Sequence, residues 1–181
     1  VLRVIGSANS IELSRPRSHL ADLEVPLLPV ERSKVEEFLE RPPERITSTH
    51  STEAFSNTKA LREWAEFTLS RYESRAEKVS TVTVHYIGWG GLAIAGIGAE
   101  VFSSTARHLR QRSGRRLWVC GYVDGTRGYL PGELEHKEGG YEVEMGHFFY
   151  GEPGPFAPEA EKRARDFFIG AGTMDDPVEK C

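Results

Sequence analysis

Gly96-Ile97-Gly98-Ala99-Glu100 sets a carboxylate where an apolar strand, Leu92–Ile97, gives way to a helix expected over Ala99–Arg112. Three chemistries suit that position. In a dinucleotide-binding turn the glycines would cradle a pyrophosphate, and Asp124 at the end of the next strand would hold a ribose. Against this, Val101 stands at the third glycine position and Glu100 would aim its charge at the phosphates. As a structural feature, Glu100 is an acid in the first helical turn, stabilised by the helix dipole. As a site residue, it is a carboxylate projecting from a strand end, an oxygen donor that zinc accepts beside histidine nitrogen.

The second candidate is the loop Gly121–Tyr141, where six glycines let the backbone fold close to a neighbour. Tyr129 and Tyr141 each follow a glycine. A phenol can donate to a developing oxyanion, or ligate a metal once the metal's charge lowers its pKa. Equally, both rings can simply cover the sheet. The six histidines are scattered, and no pair has the spacing of a motif such as HExxH. His85 and His108 read as packing or surface residues. His147, in Met145–Tyr150, lies near the candidate loop and stays a weak candidate. There is no GxSxG elbow and no CxxC pair.

With these motifs in place, the stretch from Val82 to Pro155 resembles the C-terminal part of the catalytic domain of the neutral/alkaline ceramidase family. The resemblance rests on Gly98-Ala99-Glu100-Val101-Phe102, on Asp124-Gly125-Thr126-Arg127-Gly128-Tyr129-Leu130-Pro131, and on Gly139-Gly140-Tyr141-Glu142-Val143-Glu144. The twelve-residue step from Tyr129 to Tyr141 matches the family's tyrosine pair. The resemblance implies a zinc-dependent amidohydrolase acting on an N-acyl lipid such as ceramide. Glu100 and Tyr129 would be zinc ligands, and Tyr141 would hydrogen-bond the amide oxygen as it becomes an oxyanion. The two histidine ligands and the catalytic serine would come from an N-terminal segment that precedes these motifs in the family. The chain departs from the family at three points: Gly98-Ala99 replaces Pro-Gly before the glutamate, Asp124 replaces the usual Asn, and Gly132 stands where a hydroxyl residue is common. These departures imply a divergent member, whose substrate extends to other N-acyl lipids or amides. The family would place the protein outside the cell or at a membrane.

The elements that must position these residues read as an α/β (α+β mixed) domain with a partly antiparallel mixed sheet and packed helices, one portion of a larger catalytic domain. The 181 residues are expected to form one domain, with an irregular part (1–57), a regular part (58–172) and a tail (173–181). Leu2–Ile5 looks sheet-like, Leu23–Leu28 is an edge strand containing Pro26, and Glu31–Glu40 is a helix ended by Pro42-Pro43. Arg41–Phe55 reads as a loop. A helix is expected over Thr58–Ala76, with Leu61, Trp64, Ala65, Thr68 and Tyr72 on one face. Val79–Tyr86 alternates as a strand with Val82, Val84 and Tyr86 together, and turns through Gly88–Gly91. In the helix over Ala99–Arg112 the buried stripe is Phe102, Ala106 and Leu109. Arg116–Val123 forms the next strand, with Cys120 as a small core residue, and Pro158–Ile169 forms a closing helix. The 23 basic and 27 acidic residues leave a net charge of -4, which argues against a nucleic-acid partner. No apolar run is long enough to span a bilayer.

Overall fold

The computed structural model of the chain describes residues 10–11, 13–49, 54–55, 57–72 and 78–174. Leu2–Ile5 and residues 175–181 lie outside the described residues. In chain order the elements are β1 (Arg17–Pro26), α1 (Arg32–Glu40), β2 (Ile46–Thr47), β3 (Ala54–Phe55) and α2 (Thr58–Arg71). Then follow β4 (Val79–Trp89), β5 (Leu92–Ile97), β6 (Glu100–Val101), α3 (Ser103–Arg112) and β7 (Arg116–Cys120). The last are β8 (Tyr129–Leu130), α4 (Glu133–Glu138), α5 (Tyr141–Glu144), α6 (His147–Tyr150) and α7 (Pro158–Met174).

The main sheet runs β1-β4-β5-β7. Its first two pairings are antiparallel and the last, β5 with β7 across α3, is parallel. The mixed sheet with packed helices is therefore the fold class read from the sequence. The β4–β5 hairpin closes on Gly90-Gly91, with Trp89 opposite Leu92 and Gly90 at φ 54°. That left-handed value suits glycine in a two-residue turn. Gly88 and Trp89, expected in the turn, remain in the ladder.

Val82, Val84 and Tyr86 of β4 and Ala93, Ala95 and Ile97 of β5 form the buried face, against Leu109 of α3 and Ala160, Ala164 and Phe168 of α7. A second cluster lies apart from the sheet, where Val35 and Phe38 of α1 meet Leu61, Trp64 and Ala65 of α2 together with Met145 and Phe148.

Several expectations are corrected. β1 is the ten-residue edge of the main sheet, pairing Arg17–Pro26 with Val79–Gly88, so this part of the first half is regular. Ile46–Thr47 pairs with Ala54–Phe55 inside the stretch read as a loop. α2 ends at Arg71, with Tyr72 as its C-cap. α3 begins at Ser103 rather than Ala99, because Glu100–Val101 is committed to a parallel pairing with Tyr129–Leu130. With the helix shifted, Thr105 and Leu109 are its buried residues, while Phe102 is its N-cap. Cys120 is exposed, since Leu117 faces the core and Trp118 and Cys120 alternate outward. α7 continues through Gly170 and Gly172 because Ala171 still buries against the core. No helix among the described residues is long and apolar enough to cross a membrane.

Candidate functional site

The site is built where the chain leaves β5. Gly98 donates its N–H to Thr83 O and accepts from Arg127 N. A Cβ at this glycine would lie 2.7 Å from Gly125 O and 2.9 Å from Val123 O. Only glycine lets the 123–127 loop close onto the strand end so tightly. That closure carries the following residues with it: Glu100 N donates to Gly128 O at 2.8 Å, and Glu100 then pairs directly with Tyr129 in the β6–β8 ladder.

Four of the chain's six tyrosines gather around this carboxylate. The hydroxyls of Tyr122 and Tyr150 donate to its two oxygens, Oε2 and Oε1 respectively. Tyr129 stands edge-on to both Tyr150 and Tyr141, with ring centroids 6.3 Å and 5.9 Å apart. Phe102 and Phe149 flank the group on either side. The Tyr129 ring lies so close to Gly146 that a Cβ there would approach it to 2.5 Å.

The surroundings keep these phenols protonated. Burial, reinforced by the negative charge of Glu100, pushes Tyr129 up to about 12. Tyr150 is raised further, by burial first and then by its hydrogen bond to Glu100. Burial and the charges of Glu100 and Glu142 raise Tyr141 in the same direction. Tyr122, exposed at 66%, is raised chiefly by its hydrogen bond to Glu100. At neutral pH all four are donors, the form needed to stabilise an oxyanion.

The structure thus brings together Glu100, Tyr129 and Tyr141, and it adds Tyr122 and Tyr150, which the sequence reading did not single out. The available signal was that both abut glycines, in Gly121-Tyr122 and Tyr150-Gly151. Tyr122 and Asp124 also adopt left-handed backbone, at φ 60° and 55°. For tyrosine this is a costly conformation, of the kind held at functional loops. The side chain of Asp124 does not join the cluster. It is exposed, with Oδ2 4.0 Å from His85 Nδ1.

His147, on α6, makes its ring contacts outside the tyrosine cluster. Its ring packs in the second core, 5.6 Å from Trp64 and 4.1 Å from Phe148 between centroids. Burial lowers its pKa to about 3, so it is neutral under ordinary conditions. It lines, with Arg127, Tyr129, Glu142 and Glu152, a cavity of about 10 Å³, room for a single water.

No family model, no curated protein and no solved structure matches this chain. The ceramidase likeness therefore rests on the motifs within Val82–Pro155 alone.

The donor set bears on the zinc that this likeness implies. Among the described residues no group of three or more His, Cys, Asp or Glu is placed to hold a metal ion. Glu100 and Tyr129 offer two oxygen ligands, whereas zinc sites take at least three ligands from protein. Alone, these residues do not make a zinc centre, and both oxygens of Glu100 already accept tyrosine hydroxyls.

Proposed function

We propose that this chain carries one half of the active site of a zinc-dependent amidohydrolase of the neutral ceramidase type, cleaving the amide of an N-acyl lipid. The observation that carries the reading is the convergence of Glu100, Tyr129 and Tyr141 within one cluster of protonated phenols around one carboxylate. In this reading Tyr141 donates its phenolic proton to the amide oxygen as negative charge develops there. Glu100 anchors the cluster, and Tyr122 and Tyr150 hold its carboxylate in one orientation. Zinc held jointly with ligands from an N-terminal segment would supply an activated water and polarise the carbonyl.

A second observation supports incompleteness. α3 and α7 cover one face of the sheet. On the other, the register aligns Ile87, Ile94 and Trp118, and both Leu20 and Trp118 stand exposed, at 64% and 59%. In this reading the row Ile87–Ile94–Trp118 is where a further segment would pack and cover Trp118.

The alternative reading is a non-catalytic binding or interaction module on the same scaffold. It is favoured by the saturation of Glu100, both of whose oxygens already accept a hydrogen bond from within the chain. Metal analysis separates the two. Zinc retained by the chain joined to its upstream segment, and lost with Glu100→Ala, supports the amidohydrolase; absence of zinc from the joined protein supports the module.

A further inference from the structure

Glu100 and Tyr129 meet in a ladder only two residues long, β6 with β8, which stands apart from the main sheet. A parallel pair that short does not fix two side chains by its own backbone bonds. One end is tied down, because Glu100 N donates to Gly128 O and Arg127 N donates to Gly98 O. At the other end the two segments run on into α3 and α4. There the Glu135 carboxylate bridges them. Its Oε1 accepts from Ser104 Oγ, in the first turn of α3, and its Oε2 accepts from Gly132 N at 3.0 Å, just before α4. The first bond reaches across 31 residues and the second across three.

Glu135 is buried, so both bonds form away from water, where hydrogen bonds to a carboxylate are strong. Gly132 is what admits the carboxylate: a Cβ there would lie 3.2 Å from Glu135 Oε2 and 3.4 Å from Glu161 Oε2. Glu161 has little room to yield, being buried itself and bonded to Arg165 Nε at 2.7 Å. A helix cap accounts for the bond to Gly132, since a glutamate at the third helical position reaches back to the amide that precedes the helix. It does not account for the bond to Ser104. We infer that Glu135 is a positioning residue for the tyrosine–carboxylate site: it ties the start of α3 to the start of α4 and so holds Glu100 and Tyr129 side by side. The functional meaning of this clamp rests on the amidohydrolase reading, whereas the clamp itself does not.

The test is amide hydrogen exchange, followed by nuclear magnetic resonance on the chain without zinc or substrate. Ser104→Ala removes the cross-link and leaves the α4 cap in place. In this variant the Glu100 amide, bonded to Gly128 O, should exchange about tenfold faster, while the amides of β4 and β5 keep the parent's rates. Ser104→Thr keeps a hydroxyl and should exchange as the parent does. Glu135→Gln sets an amide donor against one of the two donors and should release Glu100 as Ser104→Ala does. A Glu100 amide untouched by Ser104→Ala would overturn the inference and leave Glu135 as a helix cap. Amides of β4 and β5 accelerated by the same factor would also overturn it, since the loss would then be one of general stability. In the chain joined to its upstream segment, Ser104→Ala should lower turnover of an N-acylsphingosine about tenfold. A joined protein without any turnover contradicts the amidohydrolase reading alone and leaves the exchange rates to decide the clamp.

Discussion

The four residues of α6 join two aromatic clusters built for opposite ends. His147 and Phe148 turn into the second core, beside Trp64 and Phe38. Phe149 and Tyr150 turn the other way, toward Tyr141, Tyr129 and Glu100. In the first cluster the polar groups are settled or neutral: Trp64 Nε1 donates to Glu152 O at 2.8 Å, and His147 is neutral. In the second, every aromatic hydroxyl is raised in pKa by burial or by the Glu100 carboxylate. One side of a single helical turn supplies stability, and the other presents protonated donors in a half-exposed place. Neighbouring residues of the same class thus differ in role through what they face.

That contrast can be broken from the core side with the largest effect. Trp64→Ala should lose about 3–5 kcal/mol of stability in chemical denaturation, as large aromatic truncations in packed cores do. At the junction, Gly146→Ala should cost about 1–3 kcal/mol by driving a Cβ into the Tyr129 ring. Its near-ultraviolet dichroism should change while the far-ultraviolet spectrum does not.

The pH dependence separates the clusters by sign. The folded pKa of His147 is depressed to about 3, below its ordinary value. Its contribution is therefore full above about 6.5 and is lost as pH falls toward 3, at up to about 1.4 kcal/mol per pH unit. His147→Phe should flatten that part of the acid limb in denaturation curves measured from pH 7 to 4. Tyr129 behaves oppositely: its folded pKa is raised to about 12, so its contribution is intact below pH 10 and fades as pH climbs to about 12. In an ultraviolet titration of phenolate, Glu100→Gln should bring the Tyr129 ionisation down, since it removes a charge that opposes it. The smallest effect on stability is expected from Tyr150→Phe. One part-exposed donor to a carboxylate is lost, about 1 kcal/mol, while Tyr122 still holds the other oxygen.

Much of the sheet could be read in advance because its signals are local. Val82, Val84 and Tyr86 alternate, and paired glycines mark the hairpin turn. The errors arise where the deciding partner is distant in sequence. Nothing near Glu100 announces that it pairs with Tyr129 across 29 residues, so local periodicity draws it into the helix. The apolar run around Cys120 cannot reveal whether one face of a strand or both are covered. Alternation along β1 is blurred because its buried side includes His19 and Ala21 while its outer side carries Leu20. The Glu100–Tyr129–Tyr141 grouping was suggested by the family motifs, not by periodicity. Tyr122 and Tyr150 stayed hidden because a single tyrosine beside a glycine carries no pattern of its own.

The central claim is that the phenol-lined carboxylate is half of an amide-cleaving site. The most direct measurement is hydrolysis of an N-acylsphingosine by the chain alone, by the chain joined to its upstream segment, and by the joined protein with Glu100→Gln or Tyr141→Phe. The account predicts turnover only in the joined parent protein, falling at least a hundredfold in either variant. Turnover unchanged by both substitutions, or none in a joined protein shown to be folded and zinc-loaded, would contradict it.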